Sequence, residues 1–231
     1  MTTRPVWLFD LDNTLHDASP HIFPHINRSM TAYLETHLGL TREDADGLRT
    51  RYWHRYGATL LGLMRHHGTN PGHFLSETHR FDALERMLVF NNAVKAMLRR
   101  LPGRKLVFSN GPRDYAESVL RIIGIRRFFD DVFGIEDMRL QPKPRIEAYR
   151  YLLRDHDLRA SQCIMVEDSA VNLRTAKRLG MRTVWISRSL RRLPYVDLTL
   201  GSVLELRRAA SRLRPHETGP SVHAHRTRTV V

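Results

Sequence analysis

The sequence predicts an α/β protein: a Rossmann-like parallel sheet with helices on both faces, plus a helical cap inserted after the first strand. Three observations carry that prediction. Short apolar, β-branched runs recur along the chain, most of them separated by helix-like patterns. A block of helical patterns without a convincing strand, residues 18–90, interrupts the alternation directly after the first run. Several of the runs then end in polar residues of the kinds that do chemistry. Strands alternating with helices mean a parallel sheet covered on both faces. Such a sheet binds its ligands along the edge formed by the C-terminal ends of its strands.

The first predicted strand is "PVWLFD". The block that follows contains "HINRSMTAYLETHLGL", "REDADGLRTRYWHRYGATLLGLMRHHG" and "PGHFLSETHRFDALERMLVF", all read as helices. Because the insertion starts where the functional edge should lie, it is expected to cover that edge rather than pad one face. Further strands are "RKLVFSN", "QCIMVED" and "RTVWIS", with weaker ones at "DDVFG" and "VDLTL". "RDYAESVLRIIG", "PRIEAYRYLLRD" and "AVNLRTAKRLG" are the intervening helices, the last two ending near Asp or Gly as helices should. The expected organisation is a Rossmann-like core from residues 1–17 and 91–206, a cap over 18–90, and a basic tail without fixed structure over 207–231.

Composition narrows the class. A chain of 231 residues, 42% hydrophobic and 26% charged, is ordinary for a globular protein with one substantial core. No apolar run reaches the roughly 18 residues that a membrane helix needs, and no signal-peptide pattern opens the chain. The single Cys163 excludes an intrachain disulfide and fits the cytoplasm. The net charge of +13 raises the question of nucleic acid. Residues 207–231 hold six Arg against one Glu, so +5 of that excess is local. The remainder is spread without a Lys/Arg block or interleaved aromatics, which describes a basic surface that favours anionic small molecules.

The strand ends carry the chemistry. Asp10, Asp12, Asn13 and Thr14 follow the first strand; Ser109, Asn110 and Gly111 follow "KLVF"; Lys143 stands between Pro142 and Pro144; Glu167, Asp168 and Ser169 follow "CIMV". Acids, a hydroxyl-amide pair and a lysine on one edge describe a site for an anion with a metal. Two carboxylates one residue apart at the end of a buried strand repel each other, and a hard divalent cation offsets that repulsion. Asp10 and Asp168 can hold Mg²⁺ at about 2 Å, with the Asp12 backbone carbonyl as a further ligand. The Asp12 side chain is then free for proton transfer, which separates the nucleophile from the acid/base.

"FDLDNTL", "FSNG", "PKP" and "VEDS", in this order and at these strand ends, resemble the four motifs of the haloacid dehalogenase-like hydrolase superfamily. The resemblance runs from near Trp7 to Ser187. Within the cap, "YGATLLGL" (Tyr56 to Leu63), taken with "FDLDNTL" and "EDSAVNL", is similar to the pyrimidine 5′-nucleotidase-like branch. What the resemblance implies is a phosphomonoesterase. Asp10 would attack phosphorus and Asp12 would protonate the leaving oxygen and then deprotonate water. Thr14, Ser109 and Asn110 would orient phosphate and the neighbouring carboxylates, with backbone amides near Asn110 and Gly111 on the phosphoryl oxygens. Lys143 would neutralise nucleophile and phosphoryl group, and Asp168 would ligate Mg²⁺, with Glu167 and Asn172 supporting the metal from behind.

The implied partner is a small phosphorylated metabolite, a nucleotide first, with phosphoglycolate or a sugar phosphate as the alternative. Asp12 argues against a dehalogenase, which needs no metal. A nucleic-acid-binding scaffold would leave the acid-lysine set without a purpose. Among cap residues Tyr56 is the strongest candidate for substrate contact. The cap histidines His54, His66, His67, His73 and His79 fit no zinc spacing. Only four residues are lysine in a chain with thirty-seven Lys plus Arg. Lys143 between two prolines therefore marks a position where a compact ammonium is wanted.

Overall fold

The computed structural model describes residues 4–213. In chain order the elements are β1 (Val6–Phe9), α1 (Ile22–Leu38), α2 (Arg42–Tyr56), α3 (Thr59–His67), α4 (Pro71–Thr78), α5 (Leu84–Met87) and α6 (Ala93–Arg100). They continue with β2 (Arg104–Phe108), α7 (Arg113–Ile122), β3 (Asp131–Phe133), α8 (Ile146–Asp155), β4 (Cys163–Glu167), α9 (Ala170–Arg178), β5 (Arg182–Ile186), β6 (Leu198–Leu200) and α10 (Leu206–Ala209). The strands form one parallel sheet in the order β3-β2-β1-β4-β5-β6. The chain runs outward to one side of β1 through β2 and β3, then returns to its other side at β4. That reversal opens a crevice at the C-terminal ends of β1, β2 and β4.

Alternation along the strands builds a core on each face. Trp7 and Phe9 of β1 join Val107, Ile164 and Val166 in one cluster, while Val6 and Leu8 join Leu106, Phe108, Cys163 and Met165 in the other. Both clusters are covered by helices, which is why these strands read as continuous apolar runs rather than as polar-apolar alternation. Register sets the heights of the strand ends. Phe9 lies opposite Val107 on one side and Val166 on the other, so Asp10, Phe108 and Glu167 emerge at one level.

The helical block packs as α1 against α2 and α4, and α2 against α3. The predicted helical run over residues 42–68 is broken at Gly57, whose φ of 82° ends α2 with its N–H bonded to Trp53 O. A Cβ at Gly62 would run into the Tyr52 ring, so glycine lets α3 lie close on α2. The chain enters and leaves the block side by side: Asp17 and Val89 pair as an antiparallel bridge, Asp17 N donating to Val89 O at 2.8 Å.

Two elements differ from the sequence reading. Helix α6, "AVKAMLRR", was not anticipated; it buries Val94, Met97 and Leu98 and turns its three basic residues outward or to the side. The expected tail from residue 207 begins too early. Leu206, Ala209 and Leu213 are all buried in the core cluster beside α6, at helical spacing that the surrounding arginines hide. Residues 214–231 of that tail lie outside the described residues. Among the described residues no helix is long and apolar enough to cross a membrane.

Candidate active site

The first strand ends in a turn that the sequence dictates. Asp10 N still bonds to Val166 O at 2.9 Å, extending the ladder by one residue. Asn13 takes a φ of 59°, the left-handed region that asparagine tolerates better than most residues. Its Oδ1 then caps the turn by accepting from Ala18 N at 3.0 Å and Ser19 Oγ at 3.1 Å. The result points Asp10 and Asp12 into different surroundings.

Asp10 is buried beside Lys143, whose Nζ donates to Asp10 Oδ1 at 2.7 Å, Glu167 Oε2 at 2.8 Å and Phe108 O at 2.6 Å. All three ammonium protons are thus used, with the charge also 5.0 Å from the Phe108 ring centroid. The lysine side chain is 1% exposed. Asp10, Glu167 and Asp168 each bring a carboxylate oxygen within 4.8 Å of the others. Burial, with the Glu167 charge adding to it, pushes Asp10 up to about 7 despite the lysine. Burial likewise pushes Glu167 up to about 7, and it raises Asp168. Lys143 is raised as well, well above its ordinary value: its own desolvation lowers it, and the attraction of Asp10 and Glu167 outweighs that. Three acids share one cation, and each ionised carboxylate is held at a cost.

Asn110 secures that lysine. Its Oδ1 accepts from Lys143 N at 2.8 Å and its Nδ2 donates to Lys143 O at 3.0 Å, so the side chain grips the backbone on either side of the residue. Asn110, expected to orient phosphate and the neighbouring carboxylates, is thus bonded on both sides to the Lys143 backbone. Ser109 is buried at the end of β2 and its Oγ accepts from Gly111 N at 3.0 Å. The Gly111 amide is engaged inside the turn here, and Gly111 also lines the cavity beside Asp12. Thr14 is buried with no partner for its hydroxyl among the described residues. Asn172 is buried on α9, where its backbone carbonyl accepts from Tyr149 OH at 2.8 Å. Glu167 Oε1 accepts from Ser169 N at 3.1 Å.

Asp12 faces a cavity of about 560 Å³ between the helical block and the sheet. Asn110, Gly111 and Pro142 contribute from the sheet side; Phe23, Ile26, Met30, Trp53, Leu60 and Phe74 line the opposite wall. Phe23 and Trp53 are 38% and 57% exposed, so two of the large apolar side chains left open on this protein border the same hollow. The polar exceptions on the helical side include Asn27 and Arg49, joined by a bond of 2.9 Å from Arg49 Nη1 to Asn27 Oδ1. A larger hollow of about 720 Å³ lies alongside, sharing Leu75, His79 and Leu140, but it reaches none of Asp10, Asp12 and Asp168. The smaller cavity, with Asp12 in its wall, is the one the chemistry borders.

The structure does not bring Tyr56 into this cavity. Its hydroxyl lies 2.6 Å from His66 Nε2, on the far side of the α2–α3 break, while Gly57 and Ala58 take the lining positions. The cap histidines are engaged with tyrosines: His67 Nε2 lies 2.9 Å from Tyr52 OH and His73 Nδ1 lies 3.0 Å from Tyr33 OH. Residues that the sequence reading passed over include Tyr115, His16 and Tyr149. Tyr115 OH donates to Asp12 Oδ1 at 2.7 Å, and His16 Nε2 lies 3.0 Å from the same oxygen. His16 follows Asp12 by four residues and was within reach of a spacing argument; Tyr115 is too distant in sequence to be read.

The profile of haloacid dehalogenase-like hydrolases matches residues 6–180. This chain belongs to that family. Among its relatives, the glyceraldehyde 3-phosphate phosphatase of Methanocaldococcus jannaschii is 26% identical over 86% of this chain and 93% of its own length. The validoxylamine A 7′-phosphate phosphatase of Streptomyces hygroscopicus subsp. limoneus is 28% identical over 87% of this chain and 95% of its own. A phosphatase of the family from Thermococcus onnurineus has the same fold, with a TM-score of 0.64 at 22% identity, covering 92% of this chain and all of that one. The family hydrolase fold, with the helical block between the first two strands, thus extends over nearly all the described residues.

Proposed function

We propose that this protein is a Mg²⁺-dependent phosphomonoester hydrolase that works through an aspartyl-phosphate on Asp10, and that its substrate is a nucleoside 5′-monophosphate. The observation that carries the reading is the buried cluster in which Lys143 spans Asp10 and Glu167 while Asp168 completes a set of carboxylate oxygens within 4.8 Å. Three acids against one ammonium leave negative charge in excess away from water, and an oxygen-only donor set of that charge fits a hard divalent cation. Asp10 and Asp168 would hold the ion, with Glu167 steadied by Lys143. When bound, Mg²⁺ supplies positive charge to the phosphoryl oxygens.

The chain's own residues divide the remaining work. An oxygen of Asp10 forms a bond to phosphorus as the bond to the alcohol breaks. Asp12 gives its proton to the departing alcohol oxygen, then takes one from the water that displaces Asp10. Lys143 fixes the Asp10 carboxylate and lowers the charge that the phosphoryl group meets, and Asn110 keeps the lysine in place. The helical block excludes water from the cavity.

The names of the two curated relatives described above, both phosphatases of small phosphate esters, support the monoesterase. The cavity supports the nucleotide: its apolar wall with Phe23 and Trp53 suits a planar ring, and Asn27 with Arg49 offers hydrogen bonds to a base edge. The cap segment "YGATLLGL" resembles the pyrimidine nucleotidase branch and supplies Gly57 through Leu61 of that wall. A second reading, a sugar-phosphate or phosphoglycolate phosphatase, is favoured by the relatives' names. Phosphate release measured with Mg²⁺ across nucleoside 5′-monophosphates, sugar phosphates and phosphoglycolate separates them. The nucleotides are expected to give the highest kcat/KM, with release abolished by chelator and by Asp10→Asn. Phosphoglycolate ahead of every nucleotide would overturn the substrate; release undiminished in Asp10→Asn would overturn the mechanism.

A further inference from the structure

Asp12 Oδ1 carries two hydrogen bonds, one from a residue four positions along the chain and one from a residue 103 positions along. Tyr115, in the first turn of α7, donates its hydroxyl at 2.7 Å, and His16 Nε2 lies 3.0 Å away. The ring nitrogen is the donor there, because a carboxylate oxygen only accepts. No hydrogen bond to Asp12 Oδ2 is formed among the described residues. Two donors on one oxygen restrain the carboxylate, and Asp12 is part of the cavity wall.

The donors are themselves held. The His16 side chain is fully buried and Tyr115 is 4% exposed. The tyrosine ring stacks on Phe81 with centroids 5.5 Å apart and an interplanar angle of 26°, and His79 approaches it to 5.7 Å. Phe81 and His79 belong to the segment that leads out of the helical block, so the ring lies between that segment and the acid. Burial, with the Asp12 charge adding to it, drives the Tyr115 hydroxyl far above its ordinary value, and it stays a donor throughout the working range.

We infer that Tyr115, seated by Phe81 and assisted by His16, is a positioning residue that aims Asp12 for both of its proton transfers. The inference rests on Asp12 acting as acid and base, as proposed above. It gives the second carboxylate of "DLDNTL" a role that the lysine cluster does not share: Asp10 is held by a lysine, Asp12 by hydroxyl and ring donors from outside the metal site.

The consequence is specific to the leaving group. An alkyl phosphate needs Asp12 twice, to protonate the alcohol and to deprotonate water. The p-nitrophenyl ester needs it only for the second step, because nitrophenolate leaves without a proton. Tyr115→Phe keeps the ring and its stacking and removes the donor. On an alkyl phosphate its kcat is expected to fall about 10–100-fold with KM changed less than about threefold, the size of effect that misaimed general acid–base catalysis gives. On p-nitrophenyl phosphate the variant should release one equivalent of nitrophenolate per site in a burst, then turn over slowly, while phosphorylated Asp10 accumulates and is seen by mass after acid quench. Phe81→Leu, which loosens the ring but spares the hydroxyl, should show the same pattern in weaker form.

Equal losses on both esters with no burst in either variant would overturn the inference, as would kinetics like wild type in Tyr115→Phe. The reading beneath it is tested separately by Asp12→Asn. If that variant retains wild-type turnover on alkyl phosphates, Asp12 is not the acid, and the failure lies there rather than with Tyr115.

Discussion

Replacing Asp10, the proposed nucleophile, should make the metal-free protein more stable while destroying its activity. Asp10 rises from 3.8 to about 7 on folding, mainly through burial. Between those values the folded protein keeps a proton that the unfolded chain has released, so stability falls as pH rises through that window. At about 1.4 kcal/mol per tenfold change, the ionised form costs up to about 4 kcal/mol above pH 7. Asp10→Asn removes this cost and keeps an oxygen for the Lys143 bond at Oδ1. That net value already includes the attraction of Lys143, so the gain is up to about 4 kcal/mol, or about 8–16 °C for a chain of this size. Thermal unfolding in chelator would be followed by circular dichroism at about pH 5 and about pH 8, on either side of most of the window. The gap between the two proteins should be small at the lower pH, where only about a third of the cost has accrued, and wide at the higher, where the variant should unfold later. Millimolar Mg²⁺ should then raise wild type more than the variant, closing the gap at the higher pH. A variant less stable than wild type in chelator at the higher pH would refute the reasoning, because burial would then not be the dominant force on Asp10.

Two further outcomes follow from contacts described above. Asn110→Ala removes both bonds to the Lys143 backbone; kcat is expected to fall about 10–100-fold through loss of alignment, with the far-ultraviolet spectrum unchanged. Gly62→Ala drives a methyl group into the Tyr52 ring and should cost about 1–3 kcal/mol in urea unfolding; an unchanged midpoint would mean that α3 can move away from α2.

The strands were legible because each buried run ends abruptly in a polar residue, and a parallel sheet puts those ends on one edge. "PVWLFD" and "QCIMVED" show this best: β1 and β4 are neighbours in register, so Asp10 and Glu167 meet although 157 residues separate them along the chain by their numbers. Lys143 was legible through its rarity and its flanking prolines. The failures share a cause, which is that side-chain direction depends on breaks the pattern does not reveal. Tyr56 sits one residue before the left-handed Gly57, and that turn carries its hydroxyl to His66 instead of the cavity. Helix α6 and the Leu206–Leu213 segment were missed because arginines mask apolar positions that only the packed neighbour makes meaningful. Tyr115 reads as one more buried position on an amphipathic helix; nothing local marks its hydroxyl, because its partner arrives from the other side of the inserted block.

The opening motif places two carboxylates two residues apart and gives them opposite environments. Asp10 is desolvated and touches a cation, so its charge is expensive to maintain until a second cation comes. Asp12 touches the Tyr115 hydroxyl and the His16 ring and borders the cavity, so its orientation is set by hydrogen bonds rather than by a lysine. A nucleophile benefits from the first arrangement, since binding of metal and phosphate converts a costly anion into a reactive one. A residue that must gain and lose a proton within one turnover benefits from the second, since a permanent ion pair would favour one protonation state throughout. If these roles were exchanged, Lys143 would oppose each protonation of the acid and the tyrosine would hydrogen-bond the attacking oxygen, weakening it. Environment rather than residue type therefore assigns the two functions, and the one-residue gap between the acids is what lets the turn at Asn13 send them to different neighbours.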